Sequence, residues 1–257
     1  MHTQRHAIIT GAGRGIGAAI AGRLAAEGMR LTLLGRGLEQ LNAQVEAIRS
    51  AHGVDVVCYS VDVTSSEKVA DVFARIAREH GAPDVLINNA GAAGSTPFHR
   101  LTDAHWRQMQ SVNLDGVFHC CREALPMMVE AGFGRVVNIA STAGLKGYPY
   151  VAAYCAAKHG VVGLTRALAV EYARKNVTVN AVCPGFAETD MTVETVRNIV
   201  EKTGRSEEQA RAELARGNPQ GRLVRPEEVA DAVAWLVRPE AAAVTGQSVV
   251  VAGGEVM

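Results

Sequence analysis

The sequence has no excess of either charge: among 257 residues Lys plus Arg number 26 and Asp plus Glu number 26, a formal net charge of zero. That excludes long-range attraction to nucleic acid or to an anionic membrane surface as a default function. No apolar run reaches the roughly 18 to 20 residues that span a bilayer, and Met1–Arg5 lacks the apolar stretch of a signal peptide. A cytoplasmic protein is the expectation. The cysteines (Cys58, Cys120, Cys121, Cys155 and Cys183) are odd in number and form no Cys-x-x-Cys pair, so they read as reduced packing residues rather than a disulfide framework or a metal site. No linker, internal repeat or low-complexity tract interrupts the chain. With 48% hydrophobic and 20% charged residues, residues 1–257 are expected to fold as one globular domain.

What is present is an alternation. Short apolar runs at His6–Thr10, Arg30–Leu34, Val54–Ser60, Asp84–Asn88, Arg135–Ala140, Thr178–Cys183 and Gln247–Val251 read as seven strands. Between them, Gly15–Glu27, Leu38–Ala51, Ser65–His80, Thr102–Ala131, Val151–Arg174 and Pro226–Val237 carry helical spacing, with start signals at Thr64, Thr102 and Arg225-Pro226. Repeated β-α units of this kind build a doubly wound parallel sheet whose crevice lies at the carboxyl ends of the strands. Strands this apolar are expected to be buried on both faces. The polar, helix-prone segment Thr189–Arg222 falls outside the alternation and reads as a lid over those strand ends.

Directly after the first strand comes Thr10-Gly11-Ala12-Gly13-Arg14-Gly15-Ile16-Gly17, which opens a helix rich in small residues. Glycines permit the tight turn and close backbone approach, and the free N–H groups of the helix start favour a pyrophosphate; a glycine-rich turn with no ligand is the plainer alternative. A ribose with a free 2′-hydroxyl usually meets an acid about 20 residues further on, and a 2′-phosphate meets an arginine. Here the second strand ends Leu33-Leu34-Gly35-Arg36, with Arg14 as a second cation, which favours NADP(H) and keeps NAD(H) as the alternative. Asp62 and Val63 after the third strand could meet an adenine, or Asp62 could serve a helix cap near Thr64. In Asn88-Asn89-Ala90-Gly91 small residues would admit a cofactor ribose, while Asn88 could instead tie two strands together.

Tyr154 and Lys158 lie four residues apart on a helical stretch and so share a face. A tyrosine of ordinary pKa, about 10, is a poor base at neutral pH, and a nearby ammonium lowers that value. Ser141 ends the fifth strand, where its hydroxyl can reach the same crevice. Asn113 interrupts a helical stretch that it does not favour, which calls for a reason such as holding a water near Lys158.

Taken together, the glycine turn at Thr10, Asn88-Asn89-Ala90-Gly91, Asn113, Ser141, Tyr154-x-x-x-Lys158 and Pro184-Gly185 resemble the short-chain dehydrogenase/reductase family over essentially the whole chain. The resemblance implies a single Rossmann-type α/β domain with strand order 3-2-1-4-5-6-7, and hydride transfer between a nicotinamide and a carbonyl or secondary alcohol. It implies Tyr154 as acid or base, Lys158 on the nicotinamide ribose, Ser141 orienting the substrate oxygen and Asn113 anchoring a relay water. Gly11, Arg14, Gly15, Ile16, Gly17, Arg36, Asp62, Val63, Asn89, Ala90, Gly91, Pro184, Gly185 and Thr189 would line the cofactor. A homodimer or homotetramer is implied as well.

Leu145, Tyr148, Tyr150, Phe186 and Met191 would form a mostly apolar substrate wall beside Ser141. The segments around it resemble both polyketide-type ketoreductases and 3-hydroxybutyrate dehydrogenases, but Ala143 and Val151 stand where the latter carry a His and a Lys. Glu130 and Val170 stand where carrier-protein reductases carry basic residues. Lys146, His99, Arg100, Lys202 and Arg205 could greet a coenzyme A phosphate or be scattered surface cations. The expected substrate is therefore a 3-oxoacyl or 3-hydroxyacyl thioester such as a CoA ester, with a free ketone or a cyclic or sterol-like alcohol as the alternative. A non-catalytic NADP(H)-binding regulator is opposed by the retained Asn113, Ser141, Tyr154 and Lys158. A serine hydrolase is opposed by the lack of a Gly-x-Ser-x-Gly elbow around Ser141.

Overall fold

The computed structural model describes residues 4–257; Met1–Thr3, part of the amino-terminal stretch read for a signal peptide, lie outside the described residues. Seven strands, β1 (His6–Thr10), β2 (Arg30–Gly35), β3 (Val56–Ser60), β4 (Val85–Asn88), β5 (Gly134–Ile139), β6 (Val177–Pro184) and β7 (Ser248–Val251), form one sheet. Every pairing is parallel and the order is β3-β2-β1-β4-β5-β6-β7, as expected. The winding reverses at β1, which pairs with both β2 and β4, so the loops after β1 and β4 part to form the crevice.

Alternation along each strand feeds two cores. Ile9 and Leu33 point to one face, under α1 (Gly15–Ala26), α2 (Leu38–His52) and α9 (Pro226–Leu236), where they meet Leu24, Leu41 and Val233. Ile8 and Leu86 point to the other, under α3 (Ser66–His80), α5 (Gly116–Ala131) and α6 (Ala152–Tyr172), among Phe73, Leu125 and Val161. Each such side chain contributes about 1.5 to 3 kcal/mol by leaving water. The expectation of burial on both faces holds for the central strands and fails at the edges. All four residues of β7 are half-buried, and β3 is buried only at Val56, because an edge strand has a neighbour on one side only.

Local signals place some of the helix starts. Thr102 caps α4 (Asp103–Gln110) by accepting from the His105 N–H, and Pro226 opens α9 at the position where a missing N–H costs nothing. The cap of α3 is Ser65 rather than Thr64. The stretch Thr102–Ala131 is not one regular helix: α4 passes through a π turn, Ser111–Asp115, into α5, and Asn113 sits within that turn. The lid segment holds α7 (Asp190–Thr203) and α8 (Glu207–Ala215), parted at Gly204. Among the described residues no helix is long and apolar enough to cross a membrane.

Candidate active site

At the carboxyl end of β1 the chain folds onto itself so closely that only glycine fits. A Cβ at Gly11, where φ is +65°, would lie 2.9 Å from the Ala90 Cα, and one at Gly17 would run into the Gly11 carbonyl. Thr10 and Asn89 lock this arrangement. The Thr10 hydroxyl accepts from the N–H groups of Asn89 and Ala90, both at 3.0 Å, and the Asn89 amide donates to the carbonyls of Thr10 and Gly11. Asn89 therefore spends its amide on the turn rather than facing a ligand. Asn88 is the strand tie: it donates to Asn138 on β5 at 2.8 Å, and Asn138 donates to Thr165 on α6.

Arg14 precedes α1 without offering a side-chain acceptor, so the first-turn N–H groups of Gly15, Ile16 and Gly17 point outward uncapped. A cradle that a Cβ would fill, next to an uncapped helix start, fits a dinucleotide pyrophosphate. Thr189, at the start of α7, lies over Gly15, its Cγ2 3.3 Å from where a Cβ would stand, and both border an open cavity of about 440 Å3. Arg14 reaches Asp190 of α7 at 3.6 Å, an exposed pair that is weak by itself. Arg36 is exposed at the end of β2, free of the apolar core. Asp62 closes a small turn: its carboxylate accepts from the N–H and hydroxyl of Thr64, which holds it below the usual carboxylate range. The cap expected near Thr64 is thus a turn preceding the true cap. Val63 is buried, and its carbonyl accepts from His119.

The reactive residues converge at the carboxyl end of β5. Lys158 is buried, donates to the Ile139 carbonyl at 2.8 Å, and places its ammonium 5.6 Å from the centre of the Tyr154 ring. A Cβ at Gly91 would lie 2.9 Å from Asn113 Oδ1 and 3.7 Å from Lys158 Nζ, so the loop after β4, the π turn and α6 meet at one point. The Asn113 side chain donates there to the carbonyls of Ala92 and Met109 and accepts from the Ala92 N–H. It thereby fixes the loop after β4 to the π turn. Ser141, extended at the end of β5, accepts from the Ala143 N–H at 3.1 Å and begins the short turn Thr142–Gly144.

The expected lowering of the Tyr154 pKa by Lys158 is not met in the free protein. Burial dominates and pushes the phenol up to about 12, against a smaller opposing pull from the Ser141 hydroxyl. Burial also lowers Lys158, to about 8. Both groups are biased toward their neutral forms, the usual effect of a low-dielectric site.

Along the substrate wall, Leu145 and Tyr148 are half-buried, and the Tyr148 ring meets Phe186 edge to face at 6.4 Å. Met191 is exposed at the first turn of α7. Tyr150 is exposed and holds φ at +67°, a strained value for a side-chain residue, while its carbonyl accepts from the Thr96 N–H. Pro184 ends β6, and Gly185 donates to the Val251 carbonyl. Sequence reasoning missed Glu255. Its carboxylate accepts from the Tyr148 hydroxyl at 2.5 Å and pairs with Lys146 at 3.2 Å. The Gly253-Gly254 doublet just before it was the available signal of a tight return turn. Of the cations considered for a coenzyme A phosphate, Lys146 is thus engaged, and Arg205 lies 3.9 Å from Glu213.

The short chain dehydrogenase family model matches residues 5–199. The chain is 39% identical over 251 residues to the acetoacetyl-CoA reductase of Rhizobium meliloti (strain 1021), covering 98% of each. It is 40% identical over 252 residues to the cis-4-hydroxycyclohexanecarboxylate dehydrogenase of Sinomonas cyclohexanicum, covering 98% of this chain and 96% of that one. A crystal structure of a variant actinorhodin polyketide ketoreductase with NADPH superimposes with a TM-score of 0.94 at 42% identity, over 99% of each chain. With the strand order, the glycine cradle and the meeting of Ser141, Tyr154 and Lys158, these similarities establish that the chain belongs to the short chain dehydrogenase family of oxidoreductases.

Proposed function

We propose that the chain is an NADP(H)-dependent ketoreductase acting on a 3-oxoacyl thioester, most simply a CoA ester. The observation that carries the proposal is the convergence of Ser141, Tyr154 and Lys158 beside an uncapped, glycine-lined helix start. Gly11, Gly15, Ile16 and Gly17 hold the pyrophosphate, Arg36 and Arg14 take the 2′-phosphate, and Asp62 and Val63 border the adenine. Asn89, Ala90 and Gly91 shape the floor. Pro184, Gly185 and Thr189 frame the nicotinamide, with Lys158 and Tyr154 against its ribose. When bound, that cofactor supplies the hydride; the protein supplies distance, orientation and a proton.

Tyr154 and Ser141 hydrogen-bond the substrate carbonyl oxygen. As negative charge grows on that oxygen, Tyr154 donates its proton, and Lys158 stabilises the phenolate that remains. At neutral pH the phenol carries its proton, the form that acts as the acid in reduction. Asn113 is a positioning residue that keeps Ala92 and the loop after β4 against Lys158. The relatives named for acetoacetyl-CoA and polyketide reduction support the acyl substrate and NADPH. Residues 1–257 act as one domain with 189–222 as its lid, in a cytoplasmic homodimer or homotetramer; exposed Phe118 and Val170 on α5 and α6 suit such an interface.

Initial rates of NADPH and NADH oxidation at 340 nm with acetoacetyl-CoA, beside a panel of cyclic ketones and a no-substrate control, test this. Turnover of the thioester with NADPH is the expected result. Turnover confined to cyclic ketones transfers the site to the alternative substrate class, and cofactor binding without any turnover overturns the catalytic assignment.

A further inference from the structure

Glu255 stands outside the proton chemistry of Tyr154 and Lys158, yet three segments of the crevice close on its carboxylate, whose side chain is 4% exposed. From the turn after β5 come the Tyr148 hydroxyl at 2.5 Å and the Lys146 ammonium at 3.2 Å. Tyr148 has a single proton, so it donates to the carboxylate and accepts from the Thr142 hydroxyl, 2.7 Å away and next to Ser141. After β6, a Cβ at Gly185 would lie 3.0 Å from Glu255 Oε2; beyond α8, one at Gly217 would lie 2.9 Å from Oε1. The chain reaches this position through Gly253 and Gly254, with φ of +60° and +94°, values that favour glycine. A buried carboxylate is costly unless paired, and here the partners are the ammonium and the phenol.

The geometry points to Glu255 as a specificity-determining residue that engages Lys146 and Tyr148 and thereby closes the substrate wall to free carboxylic acids, leaving it to neutral thioesters and ketones. A free 3-oxo acid with its carbonyl at Ser141 and Tyr154 carries its own carboxylate toward a wall where Lys146 is already paired and Glu255 repels it. The corresponding thioester has no charge on that carbon. The inference rests on the proposed placement of the reacting carbonyl at Ser141 and Tyr154.

Glu255→Gln keeps the shape and an oxygen that accepts from Tyr148, while removing the charge. The variant and the wild type are compared for kcat/KM on acetoacetate and on its neutral N-acetylcysteamine thioester, and for acetoacetate affinity by calorimetry with NADP+ present, which needs no turnover. The expected result is a rise of about tenfold or more in the acetoacetate-to-thioester ratio, through a lower KM for acetoacetate. Adding Lys146→Met should reverse the gain. An unchanged ratio, an equal fall for both substrates, or a gain that survives Lys146→Met overturns the inference. Glu255→Met repeats the test if the first variant does not fold. Were the wild type to reduce neither substrate, the proposed function would fail while the calorimetric affinities still decided the role of Glu255.

Discussion

On the β1–β4 side of the crevice the polar groups are spent on the protein itself: Thr10 and Asn89 tie the glycine turn to the loop after β4, and Asn88 ties β4 to β5. On the β5–β6 side the groups are ionisable, with Tyr154 pushed up to about 12, Lys158 down to about 8, and the Glu255 carboxylate held by Lys146 and Tyr148. One side is a mould of neutral hydrogen bonds and backbone, suited to a ligand that is always the same. The other holds charge-bearing groups out of water, where a modest change in surroundings moves a proton.

The largest test of that division is Tyr154→Phe. Removing one hydroxyl from the reactive side should lower turnover on the order of 10³-fold while NADPH, followed by fluorescence titration, still binds. Loss of both together would show that the two sides are not separable. Gly17→Ala probes the opposite side. Its Cβ would run into the Gly11 carbonyl, so the backbone must shift, at a cost of about 3 kcal/mol in stability measured by urea unfolding, with weakened cofactor binding.

The same division explains what the sequence made legible. The glycine turn, its strand and its helix are local: each residue type is dictated by backbone geometry within a few positions, so spacing alone reveals them. Asn113 announced itself as a poor helix residue, and the π turn is the reason, but its partners Ala92 and Met109 could not be read from spacing. Tyr148 and Glu255 lie 107 residues apart. No periodicity links them, and only the folded sheet, with β6 and β7 paired, brings the return turn beneath the substrate wall. The burial that raises the Tyr154 pKa in the free protein is likewise invisible to spacing, which shows only the neighbouring lysine.

At the amino-terminal end of β1, far from the crevice, the β1–β4 side holds an ionisable group of its own. His6 is buried, its Nε2 is 2.8 Å from Thr32 Oγ1, and burial, with Arg30 and His80 nearby, lowers its pKa from 6.5 to about 4. Between those values the unfolded chain takes up a proton that the native state refuses. Stability should therefore fall as the pH drops from 6.5 to 4, by up to about 3 kcal/mol from this residue alone. Urea unfolding of the wild type and of His6→Gln at pH 7, 5.5 and 4 isolates the contribution. The variant should lose less on acidification, and parallel losses would mean that His6 is charged in the native state.

The smallest effect is expected where the β1–β4 side meets solvent. Arg36 follows β2 at an exposed position, and Asp62, close enough to feel its charge, is occupied by Thr64. A guanidinium there attracts a 2′-phosphate but is not needed for the pyrophosphate held by the glycine turn. Arg36→Asp should therefore leave overall binding in place and move the ratio of kcat/KM for NADPH over NADH toward NADH by about tenfold, a modest change because an exposed charge is screened. The shift should shrink as salt is raised from 50 to 500 mM. A salt-independent shift would mean that Arg36 shapes the loop rather than reads the phosphate, and an unchanged ratio would pass that task to Arg14, which must then leave Asp190 when the cofactor binds.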